Sequence, residues 1–321
     1  MIDIAGYENR FVAFLDILGF KELIHKIERE KHKSHDFERV RSILNFLHEE
    51  SIDSNGQHDL PVYEQKEGYV LEKELGDPRI SYISDCVIIS TEATFDGFRS
   101  LCNKITKFST DIACDGIFLR GGITHGMVHH HGPFLFGSAY QKAYELESTV
   151  AVHPRIVLDK IIFSVLAEKL GTFPLNKHAV VEDEGGVSYL SSFPLNYYPQ
   201  YTTSWLDFLL RVKGRILYHL NMFDPRVSGF GPELRKLDQS YCWKEAYGWD
   251  LCFDGGNEKV LKKYLWLKDE FNRTLSRYSQ YLSANGSDSK FADGGGRRTR
   301  ISAICWNGIT WSPEKELGRL R

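Results

Sequence analysis

No apolar run in this chain approaches the about 18 residues that a membrane-crossing helix requires, and the opening MIDIAGYENR is too polar for a secretory leader. The chain is therefore expected in the cytoplasm. The six cysteines, Cys86, Cys102, Cys114, Cys242, Cys252 and Cys305, show no CxxC spacing. That pattern excludes the common zinc motifs and a disulfide framework, and it suits reduced thiols. An excess of one charge is missing too: 40 basic against 43 acidic residues leave a net charge of -3. There is no global cationic field for a nucleic-acid backbone or an anionic membrane surface. Neither nucleic acid nor membrane is expected as a partner, and a small molecule is.

What is present is 321 residues with 42% hydrophobic and 26% charged content, enough for one large or two ordinary domains with a sizeable core. Strand-like and helical runs alternate along the first two hundred residues. The pattern predicts a strand at 10–16, helices within 18–49, a hairpin over 78–91 that turns at Ser84-Asp85, and a helix near 94–113. A strand at 117–124, a Gly- and His-rich loop at 126–133, a helix at 138–150, a strand at 155–158, a helix at 159–169 and a closing strand pair within 179–191 follow. This describes an α/β (α+β) sandwich, a mixed sheet flanked by helices. Residues 50–76 read as a long excursion. FPLNYYPQ at 193–200 has the proline and aromatic content of a boundary, which predicts a first domain over 1–195 and a mainly helical module over 196–321. In that module WLDFLLRVKGRILYHL and VLKKYLWLKDEFNRTLSRYSQYL carry helical apolar spacing, and Trp243, Tyr247, Trp249, Trp266 and Phe271 suit a small helical core. ANGSDSKFADGGGRRTR reads as a mobile Gly-rich segment, and no internal repeat is present.

Chemistry is concentrated in two short segments, RFVAFLDILGF at 10–20 and RISYISDCVIIS at 79–90. Asp16 and Asp85 are the only carboxylates of their apolar runs. An unpaired buried carboxylate costs several kcal/mol, about the scale of any buried charge, so two of them point to a cation between them. Strand parity puts Val12, Phe14 and Asp16 on one face, and the hairpin turn can bring Asp85 to the end of the first strand. The following helix start places backbone N–H groups of Ile17, Leu18, Gly19 and Phe20 beside the acid, where they can take phosphate oxygens while a metal balances the carboxylates. Mg2+ or Mn2+, two per site, with a nucleoside triphosphate would satisfy this arrangement. The alternative is structural: one aspartate caps the helix and the other makes an Asx turn.

FLDILGF, SDCVII, LRGGITHG and FGSAYQKAYELES occur in the order and spacing of the core motifs of class III nucleotide cyclases, and the resemblance covers about residues 10–190. AYELESTVAVHPRI, together with RGGI and FG, resembles the Pycsar-type pyrimidine (uridylate or cytidylate) cyclases of bacterial antiphage defence. The resemblance implies that Asp16 and Asp85 are the metal-binding acids, with the carbonyl of Ile17 as an additional ligand. It implies formation of a cyclic nucleotide from UTP or CTP, with UTP favoured by family frequency, and a head-to-tail homodimer. It also implies that a separate effector senses the product.

Departures from the purine cyclases narrow this further. Ser81 stands four residues before Asp85 where those enzymes usually carry Lys, and Phe134 stands where they carry Asp or Thr. Loss of both polar readers disfavours ATP and GTP and suits a smaller base. Gln141 and Glu145 align with the usual Asn and Arg of the later helix, so Glu145 leaves a transition-state charge to be supplied elsewhere. Arg120 and Arg155 are the candidates, since a planar guanidinium matches a developing phosphoryl charge. Their competing use is structural pairing with Glu145 or Glu147. Tyr144, three residues from Gln141, can share its helix face near the base or a partner subunit. His125, His129, His130 and His131 lack an acid or Cys to complete a ligand set, and a solvated hairpin tip is the expected setting.

Overall fold

The computed structural model describes residues 6–29, 37–38, 41, 44–45, 61–66, 69–170, 180–194, 205–223 and 258–284. By its contacts the chain divides into two units. One comprises residues 1–20, 39–109 and 117–194, and the other residues 21–38, 110–116 and 195–321.

The first unit is built on an eight-stranded mixed sheet. Its strands are β1 (Tyr7–Ile17), β4 (Arg79–Ile83), β5 (Cys86–Glu92), β6 (Leu119–His131), β7 (Phe134–Phe136), β8 (Ile156–Leu158), β9 (Val180–Glu182) and β10 (Ser188–Leu190). The order is β4-β5-β1-β6-β8-β10-β9, with β7 added to β6. β1 lies between β5 and β6 and is antiparallel to both, while β6 and β8 run parallel. A strand in that position is covered on both faces, which explains why FVAFL is continuously apolar instead of alternating. One face buries Val12 and Phe14 with Ile88, Val128, Ala139 and Ala143. On the other, the Phe11 ring meets Phe98 of α2 (Phe95–Cys114) at 5.2 Å. α1 (Phe20–Arg29) follows β1 through a turn at Gly19, whose φ of 81° a side chain would disfavour. α3 (Ser138–Thr149) returns from β7 over the Phe14 face, and α4 (Lys160–Leu170) follows β8.

Two expectations need correction. The stretch within 50–76 is not simply an excursion: β2 (Pro61–Lys66) and β3 (Tyr69–Glu74) pair as a separate antiparallel sheet. PVYEQK and YVLEKE alternate well enough for strands, and their charge obscured it. The Gly- and His-rich segment is likewise not a loop, because β6 runs unbroken to His131 before turning at Gly132 (φ 55°) into β7. His131 is exposed at that tip, but His130 is buried, with Nε2 at 2.9 Å from Ser81 Oγ and Nδ1 at 2.9 Å from Ser90 Oγ. Its imidazole is a satisfied core group facing two hydroxyls, not part of a solvated tip.

In the second unit, α5 (Trp205–Phe223) buries Phe208, Val212, Ile216 and Leu220. α6 (Glu258–Ala284) buries Val260, Tyr264, Leu267, Phe271 and Leu275, a repeat of three and four residues that makes one apolar stripe. The His219 and Tyr264 rings stack at 4.4 Å. Trp243, Tyr247, Trp249, the proposed boundary at 195–200 and the Gly-rich segment lie outside the described residues. Among those described, no helix is long and apolar enough to cross a membrane.

Candidate active site

Asp16 is the penultimate residue of β1, and the antiparallel registers place it directly between Cys86 of β5 and Arg120 of β6. Residues paired across a sheet project to the same face, so one row carries a thiol, a carboxylate and a guanidinium. Asp85 is brought alongside by the two-residue turn between β4 and β5, where Ser84 adopts φ 59°. The Ile17 N–H donates to the Asp85 carbonyl at 3.2 Å, which ties that turn to the end of β1. Carboxylate oxygens of Asp16 and Asp85 and Sγ of Cys86 lie within 4.8 Å of one another, an arrangement fit for a cation.

The surrounding charges explain how the acids are held. Arg120 Nη2 donates to Asp16 Oδ2 at 3.0 Å and also pairs closely with Glu147 of α3. Glu147 is only 3% exposed. It belongs to the buried face of α3 with Ala139, Ala143 and Leu146, so the helix lowers a carboxylate onto the sheet beside Asp16. Burial raises the Asp16 pKa to about 6; the Arg120 charge opposes this, and the neighbouring Glu147 and Asp85 charges reinforce it. A divalent cation relieves that accumulation of negative charge, which is the physical case that Mg2+ or Mn2+ fits these residues. Burial, followed by the charges of Asp85 and Asp16, likewise pushes the Cys86 thiol up to about 12.

The other expected site residues are not all brought to this centre: Phe134 pairs with His131 at the far end of β6 from Arg120. Leu18 and Gly19 form the turn after β1, and Phe20 opens α1. Two of the amides expected to face a phosphate are already engaged: Ile17 donates to Asp85 and Leu18 donates to Phe118 at 2.9 Å. Tyr144 is exposed with its ring edge against Phe14 at 5.3 Å, on the face that carries Asp16. Gln141 is exposed on the same helix, and Glu145 is exposed and pairs with Lys142 at 3.1 Å. Ser81 lies on β4 with its hydroxyl against His130, and Phe134 is exposed on β7. The two arginines part company: Arg120 meets Asp16, while Arg155 is buried against Asp183 at 2.5 Å with its guanidinium 5.3 Å from the Tyr189 ring centre.

Glu147 takes the structural pairing with Arg120 that the sequence offered as that arginine's competing use, and Cys86 completes the centre without having been selected from the sequence. The signals were an acid on the apolar stripe of a helix, and a cysteine that strand register must set opposite Asp16.

A strand-borne carboxylate pair with an adjoining arginine defines a class of site whose donor atoms are close enough to hold a cation. No protein-family model matches the sequence, and no curated protein matches it. Among solved structures, the chain is similar to the monomeric guanylyl cyclase domain of the RhoGC fusion protein from the aquatic fungus Blastocladiella emersonii, with 16% identity, TM-score 0.34, and coverage of 57% of this chain and 95% of that one. It is also similar to the catalytic core of a rhodopsin-guanylyl cyclase with converted specificity, at 18% identity and TM-score 0.32, covering 57% and 94% of the two chains. A bacterial light-regulated adenylyl cyclase matches at 13% identity and TM-score 0.35, covering 66% of this chain and all (100%) of that one.

Proposed function

We propose that this chain is a pyrimidine nucleotide cyclase, which converts UTP or CTP to the 3',5'-cyclic monophosphate and pyrophosphate. The observation that carries this reading is the meeting of Asp16 and Asp85 with Arg120 at one end of the β5-β1-β6 ladder. Asp16, Asp85 and the Ile17 carbonyl would hold two Mg2+ or Mn2+ ions. When bound, such cations supply activation of the 3'-hydroxyl and neutralisation of the departing pyrophosphate. The 3'-oxygen bonds to the α-phosphorus, the bond to the β-phosphate oxygen breaks, and the hydroxyl proton passes to solvent.

Arg120 has a part that its present partners suggest. Its guanidinium is shared by Asp16 and Glu147; with Asp16 engaged as a metal ligand, the Arg120 donors now turned to Asp16 would be available to phosphate oxygens while Glu147 keeps hold of the other side. Those donors are then positioned to stabilise charge developing on the phosphoryl oxygens. Arg155, held by Asp183 and Tyr189, contributes positioning of the sheet through its carbonyl, which accepts from the Gly121 N–H at 3.1 Å. Leu18, Gly19 and Phe20 would line the phosphate side, the Leu18 N–H staying with Phe118, and Gln141, Tyr144 and Ser81 the base side; Phe134, at the far end of β6 from Arg120, would reach a base only across a pair of chains. Ser81, with its hydroxyl already against His130, offers no lysine-like reader of a purine, which supports a pyrimidine. UTP is favoured over CTP by the frequency of uridylate cyclases in the family the sequence resembles. The active form would be a head-to-tail homodimer, and its product a second messenger for a separate effector in antiphage defence.

A nucleotide-binding module without turnover is the second reading, favoured by Glu145, which points outward to Lys142 where purine cyclases carry an arginine. The two are separated by incubating the full chain with Mn2+ or Mg2+ and ATP, GTP, CTP or UTP, each alone, and identifying products by mass spectrometry. The expected result is a cyclic pyrimidine monophosphate that disappears in Asp85→Ala. A cyclic purine product would overturn the substrate assignment, an active Asp85→Ala would overturn the metal assignment, and Mn2+-dependent nucleotide binding without any product would establish the second reading.

A further inference from the structure

We propose that Cys86 is a third protein ligand of the Asp16–Asp85 centre, so that this centre takes a thiophilic divalent cation such as Zn2+ or Cd2+ in competition with Mg2+ or Mn2+. The inference rests on the reading of the two aspartates as metal ligands and adds a donor of a different chemical kind. Three observations carry it. The register sets Cys86 directly opposite Asp16, which fixes both side chains on one face. Sγ lies 4.0 Å from Asp85 Oδ1, and all three donor atoms fall within 4.8 Å of one another. Finally, the three residues sit on elements that are already tied together, since the Ile17 N–H holds the Asp85 carbonyl across the gap. A set that is positioned before the ion arrives needs little rearrangement to close on it.

Cys86 differs in this from the other cysteines of the described residues. Cys102 and Cys114 belong to no comparable group of ligating side chains, and the Asp16–Asp85–Cys86 set is the one such group found among those residues. The Cys86 side chain also packs against the apolar cluster of Val12, Phe14 and Ile88, which limits the directions open to its sulfur and leaves the carboxylates on the remaining side. A carboxylate pair alone is a hard donor set that favours Mg2+ or Mn2+. Adding a thiolate shifts preference toward softer ions, with the thiol proton released to solvent as the metal–sulfur bond forms.

The test is spectroscopic and independent of turnover. The full chain is titrated with Co2+, and the near-ultraviolet thiolate-to-cobalt charge-transfer absorption is followed in wild type, Cys86→Ser and Asp16→Asn, each checked for folding by circular dichroism. The expected result is a saturable band in wild type that is lost in Cys86→Ser and weakened or lost in Asp16→Asn. A band that survives in Cys86→Ser assigns the sulfur to another cysteine, a band untouched by Asp16→Asn places Cys86 in a different site, and the lack of any band in wild type removes the thiolate altogether; each overturns the proposal. The cyclase reading fails by a separate observation, the lack of cyclic product from all four triphosphates, so the two can fall independently.

Discussion

An acid on the sheet-facing side of a helix needs a partner, and Glu147 has one in Arg120. Its effect reaches further, because its charge helps raise the pKa of Asp16 and it shares the Arg120 guanidinium with that carboxylate. Glu147→Gln preserves shape and removes the charge, so Arg120 is left to Asp16 alone and competes with an incoming cation. Mn2+ affinity is expected to fall by roughly 10- to 100-fold, the usual cost of losing an outer-shell partner. Electron paramagnetic resonance of free Mn2+ measures this, and an unchanged affinity would show that Glu147 does not shape the site. His130 is a second buried group whose charge state its neighbours set. Burial, followed by the positive charges of Arg10 and Arg79, lowers its pKa from 6.5 to about 4. Arg10 itself is buried and donates to Ser90 Oγ at 3.1 Å and to Asp77 Oδ2 at 2.9 Å, while Arg79 reaches the same Asp77 oxygen at 2.7 Å and donates to the His130 carbonyl at 3.0 Å. Between pH 6.5 and 4 the unfolded chain therefore binds a proton at His130 that the native chain does not. Stability rises with pH through that window and is lost as pH falls, by on the order of 2 kcal/mol. His130→Gln can still face both serines but cannot titrate, so urea melts at pH 4.5 and 7 should show a smaller difference for the variant than for wild type. Equal differences in the two proteins would exclude His130 as the cause.

At the level of elements, the position of Glu147 depends on how closely α3 lies against β6. A Cβ added to Gly122 would stand 2.5 Å from Leu146 Cβ and 2.7 Å from the Ala143 carbonyl oxygen, so the helix backbone rests directly on the strand. The same addition at Gly126 would meet Ala139 Cβ at 3.4 Å, an ordinary contact. Gly122→Ala is expected to lift α3, destabilise the fold by about 1–3 kcal/mol as overpacking does, and reduce activity because Glu147 and Tyr144 move with the helix. Gly126→Ala should be nearly neutral in both respects. Thermal melting and product formation for the pair decide it, and a neutral Gly122→Ala would show that the helix contact is not constrained there. The elements themselves were largely legible in the sequence where apolar periodicity is strong: RFVAFL, CVIIS and the helices at 95–114 and 138–149 stand near their expected bounds. Legibility failed where composition and pairing disagree. Charged β2 and β3 satisfy one another's backbone groups despite a polar sequence, and the histidines of β6 are tolerated in a strand because β7 and the serines of β4 and β5 receive them.

On the scale of the whole molecule, the aspartates could be chosen from the sequence because each is a lone carboxylate in an apolar strand. Their surroundings were legible only in part: Arg120 stands out as one of two candidate arginines, but that it, Cys86 and Glu147 meet beside Asp16 depends on register and helix placement. On the proposed reading as a nucleotide cyclase, that wider arrangement bears on how many chains would make one active site. A nucleoside triphosphate brings several negative charges, whereas Arg120 is already balanced by Asp16 and Glu147, and the chain as a whole has a net charge of -3. The face carrying the acids also leaves Tyr144 and Ile83 more than half exposed beside it, at 53% and 52%. A second copy that covers those side chains would exclude water from the reacting phosphates and bring further donors to the base and triphosphate. Head-to-tail pairing of this kind predicts that specific activity falls on dilution, with the same concentration dependence as the dimer in sedimentation. It also predicts that Tyr144→Glu and Ile83→Glu shift both curves together, because a charge placed in the covered face opposes pairing and leaves the metal ligands in place. Specific activity that stays constant across dilution while the protein sediments as a monomer would show that one chain suffices, and the missing positive charge would then have to be sought within it.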